Sequence, residues 1–340
     1  MDAVQKQCLV GMTLDEITGA TKDLSLPSYL PREIAIWVYK RGAVSIDHFT
    51  NISKKHRQEL NERFEVGLSP YVKVSTSTDG TRKYLYKALA NRYIESAYIP
   101  DIKRHTLCIS SQVGCKLGCL FCMTGKQGFQ GHLTSNQILN QILSLPERRL
   151  LTNLVFMGMG EPLANLEQVL KSLTIITSDH GLNFSTRRIT LSTVGLIPEM
   201  LKLSSLFPIK LAVSLHAADN ETRSRIMPIN RRYPLEELLN ACRSLELPRR
   251  NRITFEYLLL GGVNDSPEAA RKLAKLLRGL RAKINIILFN EYPGAKFKAP
   301  SPSNVEEFQK ILQEKHFTAT VRQSHGAGIM AACGQLSHSH

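Results

Sequence analysis

Three cysteines in one short loop have the spacing most typical of metal chemistry in this chain. Cys115, Cys119 and Cys122 form the pattern C-x-x-x-C-x-x-C. Three such thiolates can bind three irons of a [4Fe-4S] cluster and leave the fourth iron open to a small molecule, whereas a fourth cysteine ligand would close it. Structural zinc is the alternative, but zinc sites usually consist of two close pairs that supply four protein ligands. The spacing, with the aromatic Phe121 inside the last gap, favours the cluster.

A second group of polar residues and glycines follows hydrophobic segments at several places further along the chain. Gly160 precedes Glu161 in a glycine-rich turn, where backbone can approach a ligand closely and the carboxylate can bind an amine. The other polar members are Ser192, Ser214, His216 and Asn290, and Leu215 is included because it lies between Ser214 and His216. Each has a structural alternative: a turn, a helix cap or a core histidine with satisfied hydrogen bonds. Their common position at strand ends favours a binding site.

The elements that would position these residues alternate between strands and helices after about residue 104. The predicted strands are Thr106–Ser110, Asn153–Met157, Arg188–Ser192, Lys210–Leu215, Ile253–Leu260 and Lys283–Phe289. Most are continuous hydrophobic segments, as in parallel strands buried on both faces. Helix starts are predicted at Thr134, Asn165, Pro234 and Ser266, and Gly279 ends the last of these helices. Six such units without a dinucleotide-binding glycine motif predict an α/β fold built on a partial (β/α)6 barrel, with the chemistry at the carboxyl ends of the strands.

Two further regions precede the predicted barrel. The first 75 residues or so have a helical pattern, with a capping box at Thr13 and a helix over Pro31–Arg41 that Gly42 ends. A hairpin with its turn at Asp79-Gly80 and a strand over Tyr93–Pro100 follow. We therefore expect four regions: a helical domain over 1–75, a β-hairpin extension over 76–103, the barrel over 104–300, and a C-terminal helix, strand and mobile segment over 301–340.

Composition and charge restrict the compartment and the partner. Four of the seven cysteines lie between 108 and 122 and the rest are scattered, which is unlike a disulfide framework and indicates a reducing compartment. The absence of a signal peptide or a long apolar segment predicts a soluble cytoplasmic protein that does not enter a membrane. The formal charge of +15 favours a polyanionic partner, most commonly nucleic acid. Basic clusters occur at Lys54-Lys55, Arg148-Arg149, Arg187-Arg188, Arg231-Arg232 and Arg249-Arg250-Arg252.

These motifs together resemble a known family. The cysteine motif with Phe121 is similar to that of the radical S-adenosylmethionine (SAM) superfamily, and nearly the whole chain resembles the RlmN/Cfr group of RNA adenine methyltransferases. The matching segments, in order, are IESAYIP, CISSQVGC, FMGMGEPLAN, SLHA, MPIN with RYPLEELL, GVNDS and AACGQL. The match is dense, ordered and specific.

The resemblance implies a two-stage chemistry with two SAM molecules per turnover. One SAM methylates Cys333 in AACGQL, and a second, bound at the open iron, is reductively cleaved to a radical that takes a hydrogen atom from that methyl group. The resulting carbon radical adds to adenine, Glu95 removes the ring proton, and Cys108 attacks the sulfur of Cys333 to release methylated RNA through a transient disulfide bond. The segment from 326 to 335 would fold over the barrel mouth to bring Cys333 to Cys108. Cys8 and Cys242 match nothing and are expected to be structural.

Several alternatives remain at this point. The RlmN type methylates C2 of an adenine in 23S rRNA, and in some members also of tRNA, whereas the Cfr type methylates C8 of the same rRNA adenine; the RlmN type is favoured here. Family members act as monomers in this interpretation and take electrons from flavodoxin or ferredoxin. Outside the family, a zinc-containing RNA-binding module without catalysis and a radical SAM enzyme acting on a protein or a small molecule are the other hypotheses.

Overall fold

The N-terminal part of the chain is a small helical unit closed by one short pair of strands. The computed structural model describes residues 6–24, 26–247 and 251–337, so Arg249 and Arg250 of the last basic cluster lie outside the described residues. The unit contains β1 (Gln7–Cys8), α1 (Leu14–Ala20), α2 (Leu30–Ala35), α3 (Lys54–Arg63) and β2 (Phe64–Glu65). The parallel pairing of β1 with β2 was not predicted.

The helix boundaries in this unit follow from local chemistry. Thr13 and Glu16 form the predicted capping box at the start of α1. Helix α2 continues as a π-helix over Ile36–Arg41 and ends at Gly42, whose left-handed backbone suits glycine. Ser53 caps α3 by accepting a hydrogen bond from the backbone N–H of His56. The boundaries predicted at Thr13 and Gly42 are confirmed.

One ten-stranded sheet holds most of the molecule together. The strands that follow β2 are β3 (Lys73–Thr76), β4 (Arg82–Lys87), β5 (Tyr93–Pro100), β6 (His105–Cys108), β7 (Gln112–Val113), β8 (Gly131–His132), β9 (Asn153–Phe156), β10 (Ile189–Thr193), β11 (Lys210–Ser214), β12 (Ile253–Leu259), β13 (Ala282–Leu288) and β14 (Ala319–Arg322). The order in the large sheet is β14-β13-β12-β11-β10-β9-β6-β5-β4-β3, and β7 pairs separately with β8.

The pairing directions divide this sheet into two parts. Strands β6 and β9 to β14 are parallel neighbours, and β3, β4 and β5 extend the sheet in antiparallel fashion from β6. The six predicted barrel strands are confirmed, with ends that differ by one or two residues. The C-terminal strand β14 adds a seventh parallel strand, which the six-unit pattern does not include.

Helices lie between the parallel strands. They are α4 (Met123–Lys126), α5 (Ser135–Leu143), α6 (Leu166–Thr177), α7 (Ile197–Leu206), α8 (Asn220–Ile226), α9 (Leu235–Ser244), α10 (Pro267–Leu276) and α11 (Pro302–Glu314). Ser266 caps α10, and Pro234 stands at the N-cap of α9. Consecutive helices pack together, as in α5 with α6 and α10 with α11. Within the part of the chain that the structure describes, no helix has both the length and the apolar character needed to cross a membrane.

The core lies on both faces of the parallel strands. Every residue of β12 is buried, including the charged Glu256. Because a buried carboxylate is costly unless a partner or ligand compensates it, this residue indicates a polar site at the centre of an otherwise apolar barrel.

Candidate active site

The cysteine loop is held at both ends and near its middle. The antiparallel pairing of β7 with β8 closes the loop at its base. The backbone N–H of Cys115 donates to the carbonyl of Gly128 at 3.2 Å, and that of Leu120 donates to the carbonyl of Ile226 at 3.0 Å. The first of these bonds closes the loop on itself, and the second joins it to the end of α8.

All three cysteines of the motif line one cavity, cavity 1, of about 990 Å³ including the solvent at its mouth. Among the described residues, no three His, Cys, Asp or Glu side chains are gathered as closely as a single metal ion requires. A [4Fe-4S] cluster instead binds its three cysteines at separate irons. Burial raises the pKa of Cys115 to about 12 and that of Cys119 well above its usual value, and the charges of Glu161 and of the neighbouring cysteines add to both shifts. Ligand thiolates here would therefore need the positive charge of bound iron.

Glu161 is fixed in the same cavity by backbone donors. Its carboxylate accepts hydrogen bonds from the N–H of Leu163 at 3.2 Å and of Val194 at 3.0 Å. Burial raises its pKa to about 7 in spite of these bonds. The preceding Gly160 has φ +97°, and a Cβ there would lie 2.5 Å from the Cβ of Gln112, so only glycine fits this approach. The carboxylate is well placed to bind an ammonium group of a ligand.

The other residues predicted to bind the cofactor are divided between two places. Ser192, Ser214 and His216 line cavity 1 with Gly160 and Glu161. Asn290 lines a second, adjoining cavity, and the side chain of Leu215 is buried in the core.

His216 is a neutral residue in this environment. Its Nδ1 accepts a hydrogen bond from the N–H of Leu258 at 3.0 Å, and its ring packs edge-on against Phe121 with centroids 4.9 Å apart. Burial, assisted by the charge of Arg223, lowers its pKa to about 3. The ring therefore keeps its proton on Nε2 and presents a neutral face to cavity 1.

The C-terminal segment covers the barrel mouth. Gly326, at φ +67°, begins a turn in which a Cβ would lie 2.8 Å from Thr81 Cγ2, and its N–H donates to Asp79 at 2.9 Å. Further along, the carbonyl of Gly334 accepts from the N–H of Met123 at 2.8 Å, and the carbonyl of Leu336 accepts from Thr124 Oγ1 at 2.5 Å. The segment is thus bonded to both the hairpin extension and the cysteine loop.

This covering segment brings Cys333 to a position shared by both cavities. Cavity 2, of about 720 Å³, is lined by Cys108, Cys333 and Asn290, and Cys333 also lines cavity 1 with the three motif cysteines. Cys333 is exposed and Cys108 is buried at the end of β6, where burial raises the pKa of the Cys108 thiol to about 12. All seven cysteines are free thiols in this structure.

Glu95 lies near this mouth on the neighbouring strand β5. Its carboxylate forms an ion pair with Lys83 at 2.9 Å and accepts a hydrogen bond from the N–H of Ser337 at 3.0 Å. Burial raises its pKa, while Lys83 and Ser337 oppose that shift. It lines neither of the two cavities. In this arrangement the C-terminal segment therefore occupies one oxygen of the carboxylate.

Two functional candidates were missed by the sequence analysis. Arg322, the last residue of β14, lines both cavities, and its Nη1 lies 3.7 Å from the sulfur of Met157. The charges of Cys333, Glu256 and Cys108 raise its pKa against burial. Glu256 lines cavity 1 with one oxygen bonded to Asn285 Nδ2 at 3.1 Å and the other without a protein partner. A single arginine at the end of a strand gives no signal in the sequence. Glu256 does give one, because it is a charged residue inside the otherwise apolar segment of β12.

Comparison with known proteins agrees with this geometry. The sequence model of the radical SAM superfamily matches residues 109–274, and that of the ribosomal RNA large subunit methyltransferase N-terminal domain matches residues 8–66. A dual-specificity RNA methyltransferase RlmN from Syntrophus aciditrophicus is 48% identical over 330 residues, which cover 96% of this chain and 95% of that protein. One from Desulfosudis oleivorans is 50% identical over 319 residues, covering 92% and 86%. The chain belongs to the RlmN family.

The solved structures extend this assignment to the fold. A radical SAM methyltransferase from Sphaerobacter thermophilus superposes with a TM-score of 0.92 at 41% identity, covering 97% of this chain and 99% of the other. Membership of the RlmN family confirms the predicted radical SAM fold, the [4Fe-4S] cluster with SAM as cofactors, and a SAM-dependent methyltransferase acting on RNA. It also favours the RlmN type over the Cfr type and over a zinc-binding module.

Proposed function

We propose that this protein methylates C2 of an adenine in 23S rRNA, and of an adenine in tRNA, through a methyl group carried by Cys333. The position of Cys333 is the observation that carries the proposal. Its side chain lines both the cavity of the three motif cysteines and the cavity of Cys108. A sulfur in this position can receive a methyl group from a ligand in cavity 1 and present it to a base in cavity 2.

Cavity 1 supplies the residues that would hold the cofactors. Cys115, Cys119 and Cys122 would bind three irons of the cluster, and Glu161 would bind the amino group of SAM, with Gly160, Ser192, Ser214 and His216 forming the rest of the wall. When bound, the cluster and SAM supply the electron, the methyl group and the radical that the reaction needs. Leu215 and Asn290 would also contact SAM, Asn290 from the adjoining cavity 2.

The remaining steps belong to Cys333 and Cys108, which line cavity 2, and to Glu95, which lies outside it on β5. Cys333 carries the methyl carbon that becomes bonded to adenine C2. Glu95, as a carboxylate, accepts the proton from C2 once the carbon–carbon bond is made, with Lys83 balancing its charge. The adduct would give up its unpaired electron to the cluster, when bound, so that a closed-shell link between Cys333 and the base remains. The sulfur of Cys108 then attacks the sulfur of Cys333, so that a disulfide bond forms as the carbon–sulfur bond breaks. The electron pair of that bond passes to the departing methyl carbon, which takes up a proton.

Exposed arginines on the surface could bind the phosphates of an RNA partner. Arg187, Arg188, Arg231 and Arg232 are exposed, and no ion pair found among the described residues involves any of them. The N-terminal domain, residues 1–75, would also contact RNA. The other three units are the hairpin extension 76–103, the barrel 104–300 and the C-terminal region 301–340. The protein would act as a monomer in the cytoplasm. Flavodoxin or ferredoxin would donate the electrons for the reaction.

Mass spectrometry of the RNA product tests the proposed reaction. Reconstituted protein, SAM and a reductant would be incubated with rRNA and with tRNA, and the adenosines from each separated as 2-methyl and 8-methyl forms. We expect 2-methyladenosine from 23S rRNA and from tRNA. Production of 8-methyladenosine would replace the C2 assignment by the Cfr type, and methylation of rRNA alone would remove tRNA from the proposal.

A further inference from the structure

Arg223 is a buried cation on α8 that the reaction described above does not use. Its side chain is fully buried, with 0% of its surface exposed, which is rare for arginine. The guanidinium donates hydrogen bonds from Nε to the carbonyl of Leu215 at 3.1 Å and from Nη2 to those of Val194 at 2.9 Å and Ser214 at 3.1 Å. Its Nη1 donates to Asn230 Oδ1 at 2.9 Å. Every one of these acceptors is an uncharged oxygen.

The charge of this guanidinium has no carboxylate partner. None of the ion pairs found in residues 6–24, 26–247 and 251–337 involves Arg223. The groups whose negative charge would stabilise it are the thiols of Cys119 and Cys242. Cys242 belongs to no proposed site, whereas Cys119 would be a thiolate when it binds iron. A buried cation without a counter-charge is strongly unfavourable, so the missing anion is expected on the side of Cys119.

The cysteine loop and α8 are in direct contact. The N–H of Leu120 donates to the carbonyl of Ile226, the last residue of α8, at 3.0 Å. The buried side chain of Cys119 packs in one apolar cluster with Ile226 and Met227. The guanidinium donates to the carbonyls of Val194 and Ser214, and both residues line cavity 1 together with Cys119. A low local dielectric in this buried region leaves charge interactions weakly screened.

We propose that Arg223 is the fixed counter-ion of the iron–sulfur cluster and raises its reduction potential. This inference rests on the proposed cluster at Cys115, Cys119 and Cys122. Thiolate ligands give the cluster unit a net negative charge, and reduction adds one electron to it. Net charge and burial are the protein's means of setting such potentials, so a fixed positive charge beside Cys119 favours the reduced form. The same side chain binds the carbonyls of three residues at the ends of β10 and β11, and so links the cluster's charge balance to the wall of cavity 1.

The test is a redox titration of the reconstituted protein, followed by the paramagnetic signal of the reduced cluster. Arg223→Gln removes the charge, Arg223→Lys keeps the charge and loses most of the hydrogen bonds, and Arg225→Gln removes an exposed arginine from the same helix as the matched control. Asn230→Asp is an independent variant, because it places a carboxylate against Nη1 and neutralises Arg223 without replacing it. Thermal unfolding of the iron-free proteins measures the structural contribution separately.

We expect Arg223→Gln and Asn230→Asp each to lower the ratio of reduced to oxidised cluster at a fixed potential about tenfold, which is about 59 mV for one electron. Arg223→Lys should keep the wild-type ratio although it loses thermal stability, and Arg225→Gln should change neither property. An unchanged potential in Asn230→Asp, or equal shifts in Arg223→Lys and Arg223→Gln, would mean that Arg223 only ties the strand ends together. If Arg223→Gln does not fold, Asn230→Asp decides the question. A wild-type protein that binds no iron would defeat the proposed function itself, and not this inference alone.

Discussion

The ammonium of Lys83 lies 2.9 Å from the carboxylate of Glu95, across the neighbouring antiparallel strands β4 and β5. The same ammonium donates to the carbonyl of Met330 at 3.3 Å. Lys83 therefore contacts both the proposed base and the segment that carries Cys333. Because the pairing of β4 with β5 fixes its position, it can hold the carboxylate ionised and oriented whether or not the C-terminal segment moves.

Replacing Lys83 by Met should shift the pH dependence of methylation. Burial already raises the pKa of Glu95, and Lys83 is the largest opposing influence. Without the ammonium the pKa rises further, a smaller fraction of Glu95 is ionised at neutral pH, and the ascending limb of the pH profile moves to higher pH by about one unit. Single-turnover rates from neutral to alkaline pH measure this shift. Lys87→Met, an exposed lysine on the same strand, should leave the limb in place; an unmoved limb in Lys83→Met would contradict a proton-accepting role for Glu95.

Cys115, Cys119 and Cys122 should be the only protein ligands of the cluster. A fourth thiolate would close the iron that SAM needs. Replacing any of the three by Ala should therefore remove the cluster, seen as loss of bound iron and of visible absorbance. Cys108→Ala and Cys333→Ala are the matched controls and should keep both signals, although both thiols lie beside the cavity. Loss of the chromophore in either control would make that residue a ligand.

The cluster loop and the barrel could be predicted from the sequence because their signals are local. Cysteine spacing, capping residues such as Thr13 and continuous hydrophobic segments depend on neighbours in the chain. The Lys83–Glu95 ion pair could not be predicted, because it depends on the register between β4 and β5. The two-residue pairings of β1 with β2 and β7 with β8 are too short to show any period.

Arg322 illustrates the other limit of sequence reasoning. Its strand is recognisable, but nothing in ATVR indicates that β14 joins β13 in parallel and so places the arginine beside both cavities. The pairing is set by the packing of α11 against β14 and α10. Residues that act through tertiary contacts of this kind become visible only in the folded chain.

Arg322→Gln should slow the release of methylated RNA. The positive charge lowers the pKa of Cys108 relative to the effect of burial alone. Without this charge the thiolate becomes rarer, and its attack on Cys333 should slow about three- to fourfold for each unit of pKa, because the remaining thiolate is more nucleophilic. A protein–RNA adduct should then persist on denaturing gels, while Arg322→Lys releases it faster. Arg278→Gln, an exposed substitution on the barrel, should behave like the wild type; adduct-free turnover at the wild-type rate in Arg322→Gln would exclude this role.

RNA affinity should depend steeply on salt if the basic residues contact phosphates. Each neutralised phosphate releases counterions, so log K falls with log salt at a slope of about 0.7 to 0.9 per contact. The double variant Arg187→Gln, Arg188→Gln should reduce the magnitude of that slope by about 1.4 to 1.8, which is the contribution of two phosphate contacts. Binding measured between low and physiological salt checks this, with Glu306→Gln on the exposed face of α11 as a control expected not to reduce the slope. Binding that hardly changes with salt would make the charge of +15 unrelated to RNA.

The proposed roles of Cys333 and Cys108 predict different failures when each is removed. Without Cys333 no methyl group can be carried, so Cys333→Ala should never form a bond to RNA. Without Cys108 the methyl group is carried and joined to adenine, but no thiol breaks the link to Cys333, so Cys108→Ala should accumulate covalently bound RNA. Glu95→Ala should accumulate an adduct that still retains the proton at C2.

Denaturing gels with and without nuclease distinguish these states, and mass spectrometry of the nuclease-trimmed adduct shows whether the ring proton remains. Cys242→Ala is a suitable control, because this thiol is buried and lines neither cavity. Its folded fraction should release methylated RNA normally. Because Cys333 reaches both cavities while Cys108 lines only the second, the two cysteines cannot exchange roles. An adduct from Cys333→Ala, or normal yields of free methylated RNA from Cys108→Ala, would overturn the assignment and direct the search to Cys8.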